Sequence, residues 1–468
     1  MTFLPLRSRM LPSGQILQVN DSGRFFATSE ATLDRLMHDA LSEREQHFLG
    51  SRGHSIDEED ELGLTVHARN VAQRLTLAGD LDYLILVPTL RCNLSCSYCQ
   101  VSRAPMSGTG FDWTPDHLKQ VFGLLDELTT QQIKIEFQGG EPTLRSDLIQ
   151  AVIDRCERFE EKHFVICTNL HSIGDEQWQL FDRPDLFIST SLDGDFLTHA
   201  RQRTGGETDQ FEVNLRAVIE RYGPDKVSAL PTIDPNNPPA IDSVIDTFAG
   251  FGLTSIYLRP INYQGFARKR HSDSQALHAA WEEYHRAFIR RLIELNWEDQ
   301  SRILEETYFS ICLRRVFDPH SSRHVDLRNP NPMGVDYLVI DYDGRLYPTD
   351  EARMLSRSGI IDLSLGLVGD DWRGEKWELL NRHSTNQFDP ACSRCAFQPY
   401  CGRDLVDDLS RFGTINVERT ETAFCRRHLA LFDFVFELIY EDDPAIRHSL
   451  ARWLRLDGDS APLGEWLA

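Results

Sequence analysis

The chain has 468 residues, more than one ordinary domain and fewer than four, so two or three domains are expected. A hydrophobic fraction of 41% is enough to bury a core, and 49 Lys+Arg against 72 Asp+Glu leave a net charge of -23. That balance speaks against nucleic acid or an anionic membrane surface as the main partner and permits a basic peptide. No apolar run reaches the ~18 residues of a spanning helix. The opening MTFLPLRSRM lacks the apolar core and small-residue cleavage site of a secretion signal, so the expected compartment is the cytoplasm.

Residues 1–80 read as a small α+β module. GQILQVN and GRFFATS are two short strands around an Asp-Ser-Gly turn, and ATLDRLMHDAL carries apolar residues at helical spacing. SRGHSIDEEDE is a polar, acidic loop, and VHARNVAQRLTLAG a helix leading onward. Two readings stand for this module: a winged-helix-like peptide-binding unit, and a packing extension with no ligand.

From residue 81 strands and helices alternate. LDYLILVPT, IKIEF, FVICT, LFISTS, VSALPTI and SIYLRPI are strands. The helices between them are FDWTPDHLKQVFGLLDELTT, SDLIQAVIDRCERFEEK, a short one near EQWQLF, QFEVNLRAVIERY and AIDSVIDTFAGF. In the first, Thr114 is the N-cap and Pro115 the first helical residue. Six β/α units in a row predict an α/β fold whose parallel sheet curls toward a barrel, with chemistry on the loops after the strands' C-terminal ends. QALHAAWEEYHRAFIRRLIELNWE is a long closing helix. Beyond about residue 330 the alternation stops. YLVIDYDGRLYP is a hairpin turning at Asp343-Gly344, a cysteine-rich loop follows at 392–401, and the last helices include ALFDFVFELIY. The expected division is 1–80, 81–330 and 331–468.

Ten cysteines in a large chain without a signal suggest metal ligands in a reducing compartment rather than a disulfide scaffold. Cys92, Cys96 and Cys99 form C-x3-C-x2-C just after the first strand. Three thiolates on an iron cluster leave one iron open to a substrate or cofactor, whereas a structural zinc or an electron-transfer cluster wants four ligands. A zinc loop completed by a distant ligand is the alternative. The second strand ends in Gly139-Gly140-Glu141-Pro142, where glycines allow close backbone approach and Glu141 suits an ammonium group. The third ends in Thr168-Asn169, and the fourth in Ser191-Leu192-Asp193-Gly194, which suits a ribose diol. Cys156, in a helix, and Cys167, in a strand, read as small buried hydrophobes. The sixteen histidines show no metal-type spacing.

Over roughly residues 81–265 these motifs resemble the radical S-adenosylmethionine (SAM) superfamily, whose defining loop is C-x3-C-x2-C with an aromatic residue, here Tyr98, before the third cysteine. The resemblance implies a partial (β/α)6 TIM-like barrel, in which Cys92, Cys96 and Cys99 hold a [4Fe–4S] cluster with SAM on its open iron. It further implies that Gly139, Gly140, Glu141 and Pro142 meet the SAM amino group, with Asn169 alongside, that Ser191 and Asp193 contact the ribose, and that Arg203 reaches the carboxylate. Cys392, Cys395, Cys401 and Cys425 give C-x2-C-x5-C and a distant fourth thiol. Four thiolates make a closed site, for a zinc or an iron–sulfur cluster. The spacing resembles the SPASM domain of peptide-modifying radical SAM enzymes, where these cysteines ligate the second of two auxiliary clusters. Thr349 and Leu405 stand where that pattern has further cysteines, so one auxiliary [4Fe–4S] cluster is expected, with Cys312 the remaining candidate from the other site. Asp350 is a candidate catalytic base by resemblance to the sulfatase maturases, with an oxygen ligand or a surface turn as the other readings.

VPTLRCNLSCSYCQVSRA, KIEFQGGEP, LRPINYQGFA and LYPTDEARML resemble the His-Xaa-Ser system radical SAM maturases of the HxsB type. That likeness implies cleavage of SAM to a 5′-deoxyadenosyl radical and crosslinking or oxidation of a ribosomally made precursor peptide with His-Xaa-Ser repeats. Implied partners are that peptide, a second radical SAM protein, and an electron donor such as flavodoxin or ferredoxin, with no nucleic acid and no membrane. The alternatives are sulfatase-maturase-like oxidation of Cys or Ser in a protein partner, and a non-catalytic metal-binding redox scaffold.

Overall fold

The computed structural model of the chain describes residues 2–56, 61–75, 79–262, 264–269, 277–319, 324–457 and 462–467. Its central sheet is built on Tyr83–Thr89, whose last six residues are all buried. A strand apolar on both faces belongs in the middle of a parallel sheet. Gln132–Gly139 lies parallel to it (Leu84 opposite Ile135), then Glu161–Cys167, Leu186–Ser191 and Val227–Leu230 follow in order, all parallel. These are the first five expected units.

The sixth differs. VSALPTI breaks at Pro231, which has no N–H to donate to a ladder. Val227–Leu230 stays in the main sheet, while Thr232–Ile233 pairs with Arg259–Pro260. Ser255–Ile256 pairs instead with Glu305–Glu306. The other flank carries a second difference. The hairpin expected beyond the barrel hydrogen-bonds to its first strand, Tyr337–Ile340 running parallel to Tyr83–Leu86. Arg345–Tyr347 and Gly366–Leu367 extend the same sheet antiparallel, to eight strands. The sheet thus runs past residue 330, because a parallel pairing made 250 residues downstream leaves no local pattern to read.

Pro115–Glu127 begins as expected, with Thr114 accepting from the His117 N–H and His117 returning a bond to the Thr114 N–H. Ser146–Arg155 is shorter than its sequence pattern, ending in a 3-10 turn at Cys156–Arg158 before the next strand starts at Glu161. The long helix, His278–Glu298, turns Phe288, Ile289 and Leu292 into the core and packs on Ala423–Tyr440 and Pro444–Trp453. Among the described residues no helix is long and apolar enough to cross a membrane.

In the N-terminal module Ile16–Asn20 pairs antiparallel with both Leu6–Met10 and Phe25–Thr28. The Asn20 side-chain oxygen accepts from the backbone of Ser22 and Arg24, which fixes the expected turn. Glu43–Ser51, a helix with a Ser42–Glu45 capping box, was not anticipated. Part of the expected acidic loop forms a strand: Ser55–Ile56 pairs with Thr2–Phe3, while residues 57–60 lie outside the described residues. The module is fastened to the rest of the chain by Arg9, paired to both oxygens of Asp433, and by the Tyr400 hydroxyl, which donates to the Gly23 carbonyl.

Candidate functional site

The C-terminal ends of the parallel strands open into a cavity of about 780 Å³. Cys92, Cys96, Tyr98, Cys99, Gly139, Gly140, Asn169, Ser191 and Arg203 all line it. Glu141, Pro142 and Asp193 are not among the lining residues and are buried.

Those buried residues hold the lining ones in place. Glu141 is bonded at both oxygens: one accepts from the N–H and hydroxyl of Thr143, the other from the Asn169 N–H at 2.8 Å. The Asn169 amide then donates to Asn93 at 2.8 Å and approaches the Cys92 sulfur at 3.8 Å. One carboxylate therefore ties the ends of the second and third strands to the cysteine loop. Burial pushes its pKa up, against the bonds from Asn169 and Thr143. Asp193 accepts from the Tyr98 hydroxyl, from Arg203 Nε at 2.8 Å and from the Thr232 N–H at 3.0 Å. The Arg203 guanidinium lies 5.0 Å from the Tyr98 ring centre and reaches to 3.9 Å from the Cys96 sulfur. Burial pushes Cys92 up to about 12, and Cys96 upward against the opposing effect of Arg203.

The two glycines are required by the chain itself. A Cβ on Gly140 would meet the Arg91 and Leu90 carbonyls at 2.2 and 2.3 Å, and Gly139 has φ +130° against the Thr89 carbonyl. The segment they press on leads directly into Cys92. Gly140→Ala is expected to cost about 2–3 kcal/mol, read as a drop in thermal midpoint, because a backbone carbonyl cannot swing aside as a long side chain can.

Asp350 also lines the cavity, but Arg353 holds its Oδ1 with two nitrogens, both at 2.9 Å. Thr349 spends its hydroxyl as the N-cap of Asp350–Arg357, accepting from the Ala352 N–H at 3.0 Å, and Leu405 is packed in the core. Sequence reasoning missed Glu351, which faces the same cavity. Burial, then the neighbouring Asp350 and Asp326, push its pKa up to about 7. It also misread Cys167, whose strand face opens onto the cavity, where the thiol donates to Glu136 at 3.2 Å. Tyr83 donates to the same carboxylate at 2.6 Å. Cys156 and Cys312 are both fully buried in the core. No local signal marks Glu351 or Cys167; they become site residues only when the hairpin and the third strand meet across the cavity.

Cys392 and Cys395 lie on and just after the short Pro390–Arg394 helix, Cys401 follows, and Cys425 sits in the first turn of Ala423–Tyr440, its N–H donating to Thr422. Burial pushes Cys392 up to about 12 and Cys425 to about 11, and each also feels the charge of neighbouring thiols. Burial, with the charges of Cys395, Cys392 and Cys425 behind it, pushes the Cys401 thiol well above its ordinary range. Among the described residues no three His, Cys, Asp or Glu side chains are arranged to hold a single metal ion.

Residues 86–247 match the family model of the Radical SAM superfamily, so the chain carries a radical SAM domain. An uncharacterized protein of Archaeoglobus fulgidus is 24% identical over 393 residues, 82% of this chain and 85% of that one. Among solved structures, anSMEcpe with bound AdoMet and Cp18Cys peptide superposes with TM-score 0.61 at 17% identity, covering 76% of this chain and 97% of that one. Streptococcus suis SuiB bound to its precursor peptide SuiA gives TM-score 0.52 at 14% identity, covering 88% and 97%. The fold is therefore shared with these two structures.

Proposed function

We propose that the chain is a radical SAM enzyme that modifies a ribosomally made precursor peptide, of the His-Xaa-Ser type that its sequence resembles. The carrying observation is that Cys92, Cys96 and Cys99 line, together with Arg203 and Ser191, one cavity of about 780 Å³, roomy enough for SAM and a peptide side chain. Both anSMEcpe and SuiB carry peptides in their solved structures, which supports a peptide here.

Cys92, Cys96 and Cys99 all line the cavity, and three thiols are the donor set of a cluster that keeps one iron open. When bound, that cluster supplies the electron that cleaves SAM to a 5′-deoxyadenosyl radical, which takes hydrogen from the substrate. The chain's own part is positional. Arg203, braced by Asp193 and Tyr98, offers its guanidinium to a carboxylate beside Cys96. Gly139 and Gly140 leave their backbone open on the cavity side, and Ser191 presents a hydroxyl. Glu351, with Asp350 beside it, takes the proton that the oxidised substrate must lose. Cys392, Cys395, Cys401 and Cys425 hold one auxiliary cluster. Thr349 as a helix cap and Leu405 in the core leave no donors at the two positions a second would use. The N-terminal sheet recognises the peptide's leader. A flavodoxin or ferredoxin supplies electrons, and a second radical SAM protein acts on the same peptide.

The test is coexpression with a peptide bearing His-Xaa-Ser repeats. A product about 2 Da lighter supports the reading, since crosslinking or desaturation removes two hydrogens; an unmodified peptide overturns it. Anaerobic reconstitution should give about eight irons per chain, falling to about four in Cys401→Ala. An unchanged iron content in the variant removes the auxiliary site.

A further inference from the structure

The sheet of the N-terminal module has a fourth strand that comes from the far end of the described chain. Trp466–Leu467 runs parallel to Phe25–Thr28, with Trp466 opposite Ala27 and Leu467 opposite Thr28. The Ala27 N–H donates to the Glu465 carbonyl at 2.9 Å, and the Thr28 hydroxyl to the Leu467 carbonyl at 2.9 Å. Leu467 is buried with Phe26, Leu41 and Leu49, while Trp466 is 43% exposed. Glu465 pairs with Arg52 at 2.8 Å.

These are the contacts of a peptide bound by strand addition: main-chain bonds along an edge, one apolar side chain in a pocket, and one charge at the rim. The occupancy is partial. The Phe25–Thr28 strand offers four residues, and the segment pairs with two. A longer strand entering from outside has more ladder to gain than the chain's own segment has to lose.

We infer that Glu465–Leu467 is a built-in competitor for a peptide-binding edge, covering Phe25–Thr28 until an extended peptide with a leucine-like anchor displaces it. The identity of that peptide as the precursor's leader rests on the proposed function; the self-occupied edge does not. Because the segment is tethered, it competes at a high effective concentration. Such tethering raises the threshold for an outside peptide without abolishing its binding. The edge is also kept from pairing with other chains when no substrate is present.

The probe is a fluorescein-labelled synthetic peptide, APLGEWLA, which copies residues 461–468. A variant ending at Asp457 is expected to bind it saturably, and the full chain at least tenfold more weakly. Leu467→Asp in the full chain removes the anchor and keeps every other residue, so it should shift binding toward the shortened variant even where the truncation is poorly folded. Hydrogen exchange at Ala27, whose N–H the segment satisfies, should speed up in Leu467→Asp and slow again on adding the probe. Equal binding by full chain and Leu467→Asp, or no binding by a folded Leu467→Asp, overturns the inference. None of these measurements involves SAM or iron, so their failure would leave the radical SAM reading standing, and a chain inactive toward SAM would leave the self-occupied edge standing.

Discussion

Cys96→Ala is expected to abolish 5′-deoxyadenosine formation from SAM in anaerobically reconstituted protein. The loop offers three thiols and no described fourth ligand, so removing one leaves two for a cluster that must also keep an iron open. Even outer-shell partners of a metal site cost ten- to a hundredfold when removed, and a ligand should cost at least about a hundredfold. Arg203, whose guanidinium lies 3.9 Å from the Cys96 sulfur, keeps its bond to Asp193 in this variant, so the loss reads the thiol alone. Cys156→Ala is the control: that thiol is fully buried in the core, away from the lining residues, and its loss should leave SAM cleavage unchanged. Chromatographic measurement of 5′-deoxyadenosine decides it, and full activity in Cys96→Ala would remove the assignment of the cluster to this loop.

The parts of the site that were legible in the sequence are those made locally. C-x3-C-x2-C, the Gly139-Gly140 pair and the Ser191 strand end each lie within a few residues, at the end of a strand whose apolar run announces it. Alternation also read correctly through five strands, since each parallel neighbour is the next in sequence. What sequence could not show is anything decided by distant pairing. Tyr337–Ile340 joins Tyr83–Leu86 across some 250 residues, and only that ladder brings Asp350 and Glu351 over the cavity. Trp466–Leu467 reaches Ala27 and Thr28 across more than 400. Roles were harder to read than positions. Glu141 carried the expected charge in the expected loop, and Thr143 and Asn169 each bond one of its oxygens, a tie between loops that the motif alone does not announce. A motif names which residues gather; the hydrogen-bond partners settle which of them remain available.

Availability is also what separates the two adjacent carboxylates at the hairpin helix, and it sets the second large effect. Glu351→Gln is expected to slow peptide product formation by about 10²- to 10⁴-fold, the usual contribution of a general base, while 5′-deoxyadenosine still forms. Asp350 is the less free of the pair because Arg353, itself fully buried, holds its Oδ1 with two nitrogens. Replacing Asp350 should therefore act first through stability, by stranding a buried guanidinium. Among the described residues no arginine clamps Glu351 in that way. Burial and the charges of Asp350 and Asp326 hold its pKa up, to about 7. Below that value the group is a neutral acid and cannot accept a proton; above it the carboxylate is present, so product formation should rise as pH passes through about 7 in the parent protein and be flat there in Glu351→Gln. Stability runs the other way. A raised carboxyl pKa means the fold favours the neutral form, a contribution fully present below the ordinary value of 4.5 and lost as pH rises through about 7. Glu351→Gln should accordingly remove part of the decline in thermal midpoint between those two pH values. Normal product formation in Glu351→Gln, with product lost and 5′-deoxyadenosine retained in a stably folded Asp350→Asn, would transfer the base to Asp350.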